Sequence, residues 1–150
     1  MRIILQRVSE ASVTVDEKIV GKIGPGLLLF VGIEDEDTDE DLEWLAGKIT
    51  KMRIFSDAEG KMNHSVKDVD GDILAVSQFT LHASVKKGNR PSFMGAARPE
   101  YAIPMYEKFI KILGFNQKKL SAIGFDRSTA RCRPKSQEPK SPIGRNPFQK

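Results

Sequence analysis

Residues 73–81 place the tightest limit on how this chain can fold. Ile73-Leu74-Ala75-Val76 is apolar at every position, and Ser77-Gln78-Phe79-Thr80-Leu81 then brings in polar side chains. A strand covered on both faces reads as an unbroken apolar run, so Ile73 to Val76 predicts a strand inside a sheet. Continued to Leu81 at period 2, it would put Gln78 and Thr80 on one face and Ser77, Phe79 and Leu81 on the other. One end is core. The other offers hydroxyls, an amide and an aromatic ring at the mouth of a buried strand, which makes it the candidate site.

The rest of the first 115 residues predicts elements that surround this strand. Met1 to Val8 is largely apolar, Ala11 to Val15 alternates, and Ile19 to Ile23 alternates again after the polar turn Asp16-Glu17-Lys18, so a first strand is followed by a hairpin. Gly24-Pro25-Gly26 breaks the chain before Leu27 to Ile33, a second doubly buried strand. Asp37 or Thr38 is a suitable N-cap for a helix with Leu42, Leu45, Ile49 and Met52 on one face, and acidic residues in its first turn suit the helix dipole. The acidic run from Glu34 to Glu43 lacks the spacing of a calcium loop and reads as a solvated helix start. Arg53 to Phe55 predicts a short strand, and Ser56 to Gly71 a polar loop holding a solvated His64. Residues 99–114 predict a helix with Ile103, Tyr106, Phe109, Ile110 and Leu113 on one face, and Pro104 in its first turn or at a kink.

Composition narrows the function. No apolar run is long enough to span a bilayer, and Met1-Arg2-Ile3-Ile4-Leu5 is followed by Gln6-Arg7 rather than by a secretory core, so the chain reads as cytoplasmic with no membrane partner. One cysteine, Cys132, excludes an internal disulfide. With only His64 and His82 beside it, no zinc-like spacing arises, and neither metal nor cofactor is expected. The net charge of +4 is unevenly spread: nine of the 24 Lys and Arg but only two of the 20 Asp and Glu lie in residues 116–150, giving that segment +7 and the preceding body −3. Binding of nucleic acid by the whole surface is thereby disfavoured, and any such binding must be local. Residues 116–150 also hold four of the eight prolines and no valine. They read as a disordered basic tail, able to bind RNA only nonspecifically and in a salt-dependent way.

The loop His82 to Phe93 contains Lys86-Lys87-Gly88-Asn89-Arg90-Pro91-Ser92-Phe93. Cations, kinking residues and an aromatic in one loop suit a phosphate with a base stacked on Phe93, although a charged surface loop with one buried Phe has the same appearance.

With these residues laid out, the chain resembles the D-aminoacyl-tRNA deacylases over about residues 1–115. The resemblance rests on Met1-Arg2-Ile3-Ile4-Leu5-Gln6-Arg7-Val8 with Ala11-Ser12-Val13, on the Gly-Pro-Gly-Leu turn into Leu28 to Gly32, on Ser77-Gln78-Phe79-Thr80-Leu81, and on Lys87-Gly88-Asn89-Arg90-Pro91-Ser92-Phe93. It implies an α/β fold, a barrel-like, mostly antiparallel sheet with flanking helices. It also implies a homodimer with active sites at the subunit interface, and metal-free hydrolysis of the ester joining a D-amino acid, or glycine, to the terminal adenosine of tRNA. Ser77, Gln78, Phe79 and Thr80 are then the catalytic candidates. Arg7, Leu81, Asn89, Arg90, Pro91 and Phe93 are the substrate-binding ones, with Arg7 supporting a Gly-Pro loop from the partner.

Two chemistries fit the signature. Thr80 attacks the ester with His82, on the same strand face, as base; or the main chain and hydroxyls of Ser77 to Thr80 hold the ester while a ribose hydroxyl or a water reacts. The resemblance favours the second. Residues 116–150 depart from the family: the Asn-x-Gly-Pro-Val-Thr motif, whose carbonyls exclude an L side chain, has no counterpart, and the closing strands around it are expected to be missing. A reading-frame change near residues 115–120 accounts for a tail of the right length and the wrong composition. Two alternatives to the enzyme follow: the same fold with a defective or non-stereoselective site that only binds aminoacyl-tRNA, and a basic-tailed RNA-binding module.

Overall fold

The computed structural model describes residues 1–86 and 88–114 in full, together with the backbone of 115–116, 120–123 and 131–136. Its first strand, β1 (Arg2–Val15), is continuous where the sequence predicts two. The reason lies in its partners. Arg2 to Val8 pairs antiparallel with β3 (Gly26–Gly32), and Ala11 to Val15 pairs antiparallel with β2 (Lys18–Ile23), so one long strand serves two neighbours. Asp16 and Glu17 make the tight turn between β1 and β2 with positive φ of 46° and 63°.

From β3 the chain crosses over through α1 (Asp39–Lys51) and the small hairpin β4 (Phe55–Ser56) and β5 (Met62–His64) to β6 (Asp72–Ser77), which pairs parallel with β3. A second crossover, through α2 (Pro99–Asn116), leads to β7 (Leu120–Ile123), parallel to β6. β8 (Arg131–Ser136) returns to pair antiparallel with β1. The sheet runs β2-β1-β3-β6-β7 with β8 beside β1 and is curled into half a barrel; three of its five pairings are antiparallel.

Period 2 divides the core. Leu27, Leu29, Val31, Ile73 and Ala75 face the helices and pack with Leu42, Ala46, Ile49, Tyr106, Phe109 and Leu113. Leu28, Leu74 and Val76 face the other way, with Val8, Ala11, Val13, Val15 and Ile23. Gly26 is required where β3 meets β6, because a Cβ there would lie 2.0 Å from the Asp72 carbonyl oxygen. Thr38 caps α1, its N–H and hydroxyl donating to Asp41 at 2.8 and 2.9 Å, while Asp37 is buried and accepts from the Glu34 N–H.

Several expectations are corrected. The predicted polar loop contains β5, with His64 at its end and half-buried. The buried stripe of α2 is Ala102, Met105, Tyr106, Phe109 and Leu113, so Ile103 turns outward. Pro104 sits one turn beyond the helix start, inside α2. Within the segment read as a tail, two stretches, β7 and β8, are strands of the sheet. Sheet edges recruit chain through main-chain hydrogen bonds, and Pro134 lies opposite Ala11 in the β1–β8 pairing. The rest of 117–150 lies outside the described residues.

Candidate active site

The ladder of β6 ends at Ser77, opposite Val31. Its last tie is the Gln78 N–H to the Val31 carbonyl at 2.8 Å; β3 stops at Gly32 and β7 reaches only Val76, so among the described residues the chain beyond has no strand partner on either edge. The main chain therefore satisfies itself. Phe79–His82 forms a 3-10 turn, with the Leu81 N–H on the Gln78 carbonyl (3.3 Å) and the Ala83 N–H on the Thr80 carbonyl (3.1 Å). This corrects the strand predicted to Leu81 and its two alternating faces. The N–H groups of Phe79 and Thr80, at the start of the turn, have no hydrogen-bond partner among the described residues.

Gln78 and Thr80 nonetheless meet: the Gln78 amide nitrogen donates to the Thr80 hydroxyl. Ser77, Thr80 and Leu81 are half-buried beside them, and the Leu81 carbonyl accepts from Arg2 at 3.1 Å. Phe79 projects outward, 48% exposed, and meets Phe93 edge to face with ring centroids 5.3 Å apart. The two rings meet because the loop between them is closed at its base, where Ser84 and Ser92 exchange both main-chain hydrogen bonds at 2.8 and 2.9 Å. Asn89, Arg90 and Pro91 are exposed on that loop, two to four residues before Phe93. Arg7 lies elsewhere. It sits mid-strand opposite Leu27, half-buried, and donates to the Ile54 carbonyl at 2.6 Å.

His82 does not serve Thr80. Its imidazole is buried beneath the turn, with Nδ1 3.7 Å from a Glu34 carboxylate oxygen and Nε2 without a partner among the described residues. The relay on one strand face is thus absent. Glu34 also accepts from the Met1 ammonium at 2.7 Å, and Asp37 accepts from the same ammonium. That ammonium holds the Glu34 carboxyl below its ordinary range. Burial alone would lower the amine's own pKa, but its bonds to Asp37 and Glu34 prevail and raise it above 8.0. Sequence reading missed Arg2 and Glu34, which support the turn from positions far away in the chain. Among the described residues no cluster of His, Cys, Asp or Glu could hold a metal ion, and no helix is long and apolar enough to cross a membrane.

Comparison with known proteins follows the same outline. A protein of Flavobacterium johnsoniae named D-aminoacyl-tRNA deacylase is 66% identical over 113 residues, and one of Akkermansia muciniphila with the same name is 62% identical over 113; each alignment covers 75% of both chains. The solved structure of a c-Myc DNA unwinding element binding protein superposes with a TM-score of 0.85 at 36% identity, covering 93% of this chain and 94% of that one. A probable eukaryotic D-amino acid tRNA deacylase, at 20% identity, shares the fold with a TM-score of 0.76 over 91% and 94% of the two chains. The family model described as D-Tyr-tRNA(Tyr) deacylase matches residues 4–128, and the chain belongs to that family.

Proposed function

We propose that this chain hydrolyses the ester linking a D-amino acid, or glycine, to the terminal adenosine of tRNA, as a proofreading enzyme of the cytoplasm. The observation that carries the reading is the turn at the end of β6, which leaves the Phe79 and Thr80 N–H groups without a partner among the described residues, beside the Gln78–Thr80 pair and an aromatic wall. Attack on the ester carbonyl places negative charge on its oxygen, and fixed N–H donors stabilise that charge without reorganising; one such donor is worth about 10²–10³ in rate. Collapse of the intermediate breaks the bond to the ribose oxygen, releasing the amino acid and a free tRNA end. Thr80 already accepts a hydrogen bond from Gln78 and has no His82 beside it, which favours attack by a water, with the neighbouring ribose hydroxyl orienting it, over attack by Thr80.

Phe79 and Phe93 would take the terminal adenine, with Arg90 near phosphate, Asn89, Pro91 and Leu81 shaping the entrance, and Ser77 supporting the ester. Arg7 would brace a loop of a second copy, the active unit being a homodimer. No metal takes part in the scheme. A second reading, aminoacyl-tRNA binding without stereoselective turnover, is favoured by the lack of a Gly-Pro-Val-Thr motif in residues 116–150. Deacylation of D-Tyr-tRNA and L-Tyr-tRNA in the presence of EDTA separates the two. Release of D-tyrosine alone is the result expected of the enzyme, and equal release of both, or of neither, supports the second reading.

A further inference from the structure

The sequence offers His82 as a base, and the geometry gives it other work. Its buried ring lies against Gly32, the last residue of β3: a Cβ built on Gly32 would lie 3.0 Å from His82 Cδ2, 3.0 Å from His82 Nε2 and 3.0 Å from the Gln78 carbonyl oxygen. That carbonyl closes the turn by accepting from the Leu81 N–H. The missing side chain at residue 32 is therefore the space in which imidazole and turn sit together. On its far side the ring faces Glu34, two residues further along, and Arg2, the cross-strand partner of Gly32, holds the Leu81 carbonyl. A buried aromatic nitrogen with no hydrogen-bond partner is a cost that an apolar residue would avoid, so space filling alone does not explain a histidine here.

We infer that His82 and Gly32 form a positioning pair: the imidazole, wedged between Gly32 and Glu34, sets the height and tilt of the Gln78–Leu81 turn, and with it the direction of the Phe79 and Thr80 N–H groups. The inference rests on the deacylase reading for its kinetic consequence, but not for its structural one. A glycine to alanine change that moves the turn by a fraction of an ångström misplaces donors without removing them, and misplacement near 1 Å costs about 10²-fold in rate.

The test uses the full-length chain, D-Tyr-tRNA and saturating enzyme in single turnover, where a partly unfolded preparation changes neither amplitude nor rate constant as long as folded enzyme stays in saturating excess. Gly32→Ala is expected to lower the rate constant about 10–100-fold and His82→Ala about 10-fold. The double variant should be no slower than Gly32→Ala alone, because removing the ring relieves the methyl on the imidazole side and leaves only its approach to the Gln78 carbonyl oxygen. Losses that multiply, or a wild-type rate in Gly32→Ala, overturn the pair. Should Gly32→Ala fail to fold, His82→Asn, which shrinks the wedge and adds nothing, is read in the same way. Amide ¹H–¹⁵N shifts give a second readout independent of activity. Phe79 and Thr80 should move in both single variants while Leu74 and Phe109 stay in place. If the wild-type chain is inert on D- and L-Tyr-tRNA, the functional reading fails; the shifts still decide the positioning claim, and unmoved Phe79 and Thr80 amides overturn it.

Discussion

The two halves of residues 73–82 are continuous in sequence and diverge in structure. Ile73 to Val76 is strand on two parallel ladders and buried on both faces. Phe79 to His82 is just as rich in residues that favour strands, yet it coils into a 3-10 turn with Phe79 open to solvent. What differs is the neighbours. The first half has β3 on one edge and β7 on the other; the second has neither, and it meets a glycine at the end of β3 that leaves room for a histidine. Burial is concentrated in the first half, and the proposed site lies in the second.

That division can be broken most severely at its root. Gly26→Ala drives a methyl into the Asp72 main chain where β3 meets β6, and no side chain can yield to relieve it; the expected outcome is loss of a cooperative thermal transition. Leu74→Ala, in the buried half, should cost about 2–5 kcal/mol in urea unfolding and leave the single-turnover rate of the folded fraction unchanged. A rate loss there would show that the two halves are coupled. Phe79→Ala or Phe93→Ala, in the open half, should do the opposite: weaker tRNA binding by about 1–3 kcal/mol, the worth of one stacked base, with little change in melting temperature.

Thr80→Ala sharpens the chemistry. Loss of one hydrogen bond, about 1 kcal/mol, predicts a rate within about 10-fold of wild type, whereas a fall near 10⁶ would make Thr80 the nucleophile. The smallest effect concerns pH. The Met1 amine, its pKa raised in the folded chain, stabilises fully below 8.0 and loses that contribution as pH rises through its folded value. Glu34, its pKa lowered, stabilises fully above 4.5 and loses its contribution as pH falls through its folded value. Urea midpoints should therefore be flat between these limits and decline on both sides, and Glu34→Gln should flatten both arms.

Much of the fold could be read from the sequence because periodicity reports burial. The unbroken apolar runs Leu27 to Ile33 and Ile73 to Val76 mark interior strands, and Thr38 marks the start of α1. The α2 stripe is displaced because Ile103 and Ala102 both suit a helix, and only the packing of α2 against the sheet selects Ala102. The candidate site was legible as a list of residues, Ser77 to Leu81 with Phe93, since hydroxyl, amide and aromatic groups stand out beside an apolar run. Its shape was not.

Local pattern, then, determines which residues are buried and where the chain turns polar, because burial selects side chains one at a time. Whether Gln78 to His82 extends or coils depends on which strand edges are free beside it, how far β3 and β7 run, and whether Gly32 leaves space for an imidazole. Those are contacts between segments some 45 residues apart, and only the assembled sheet supplies them.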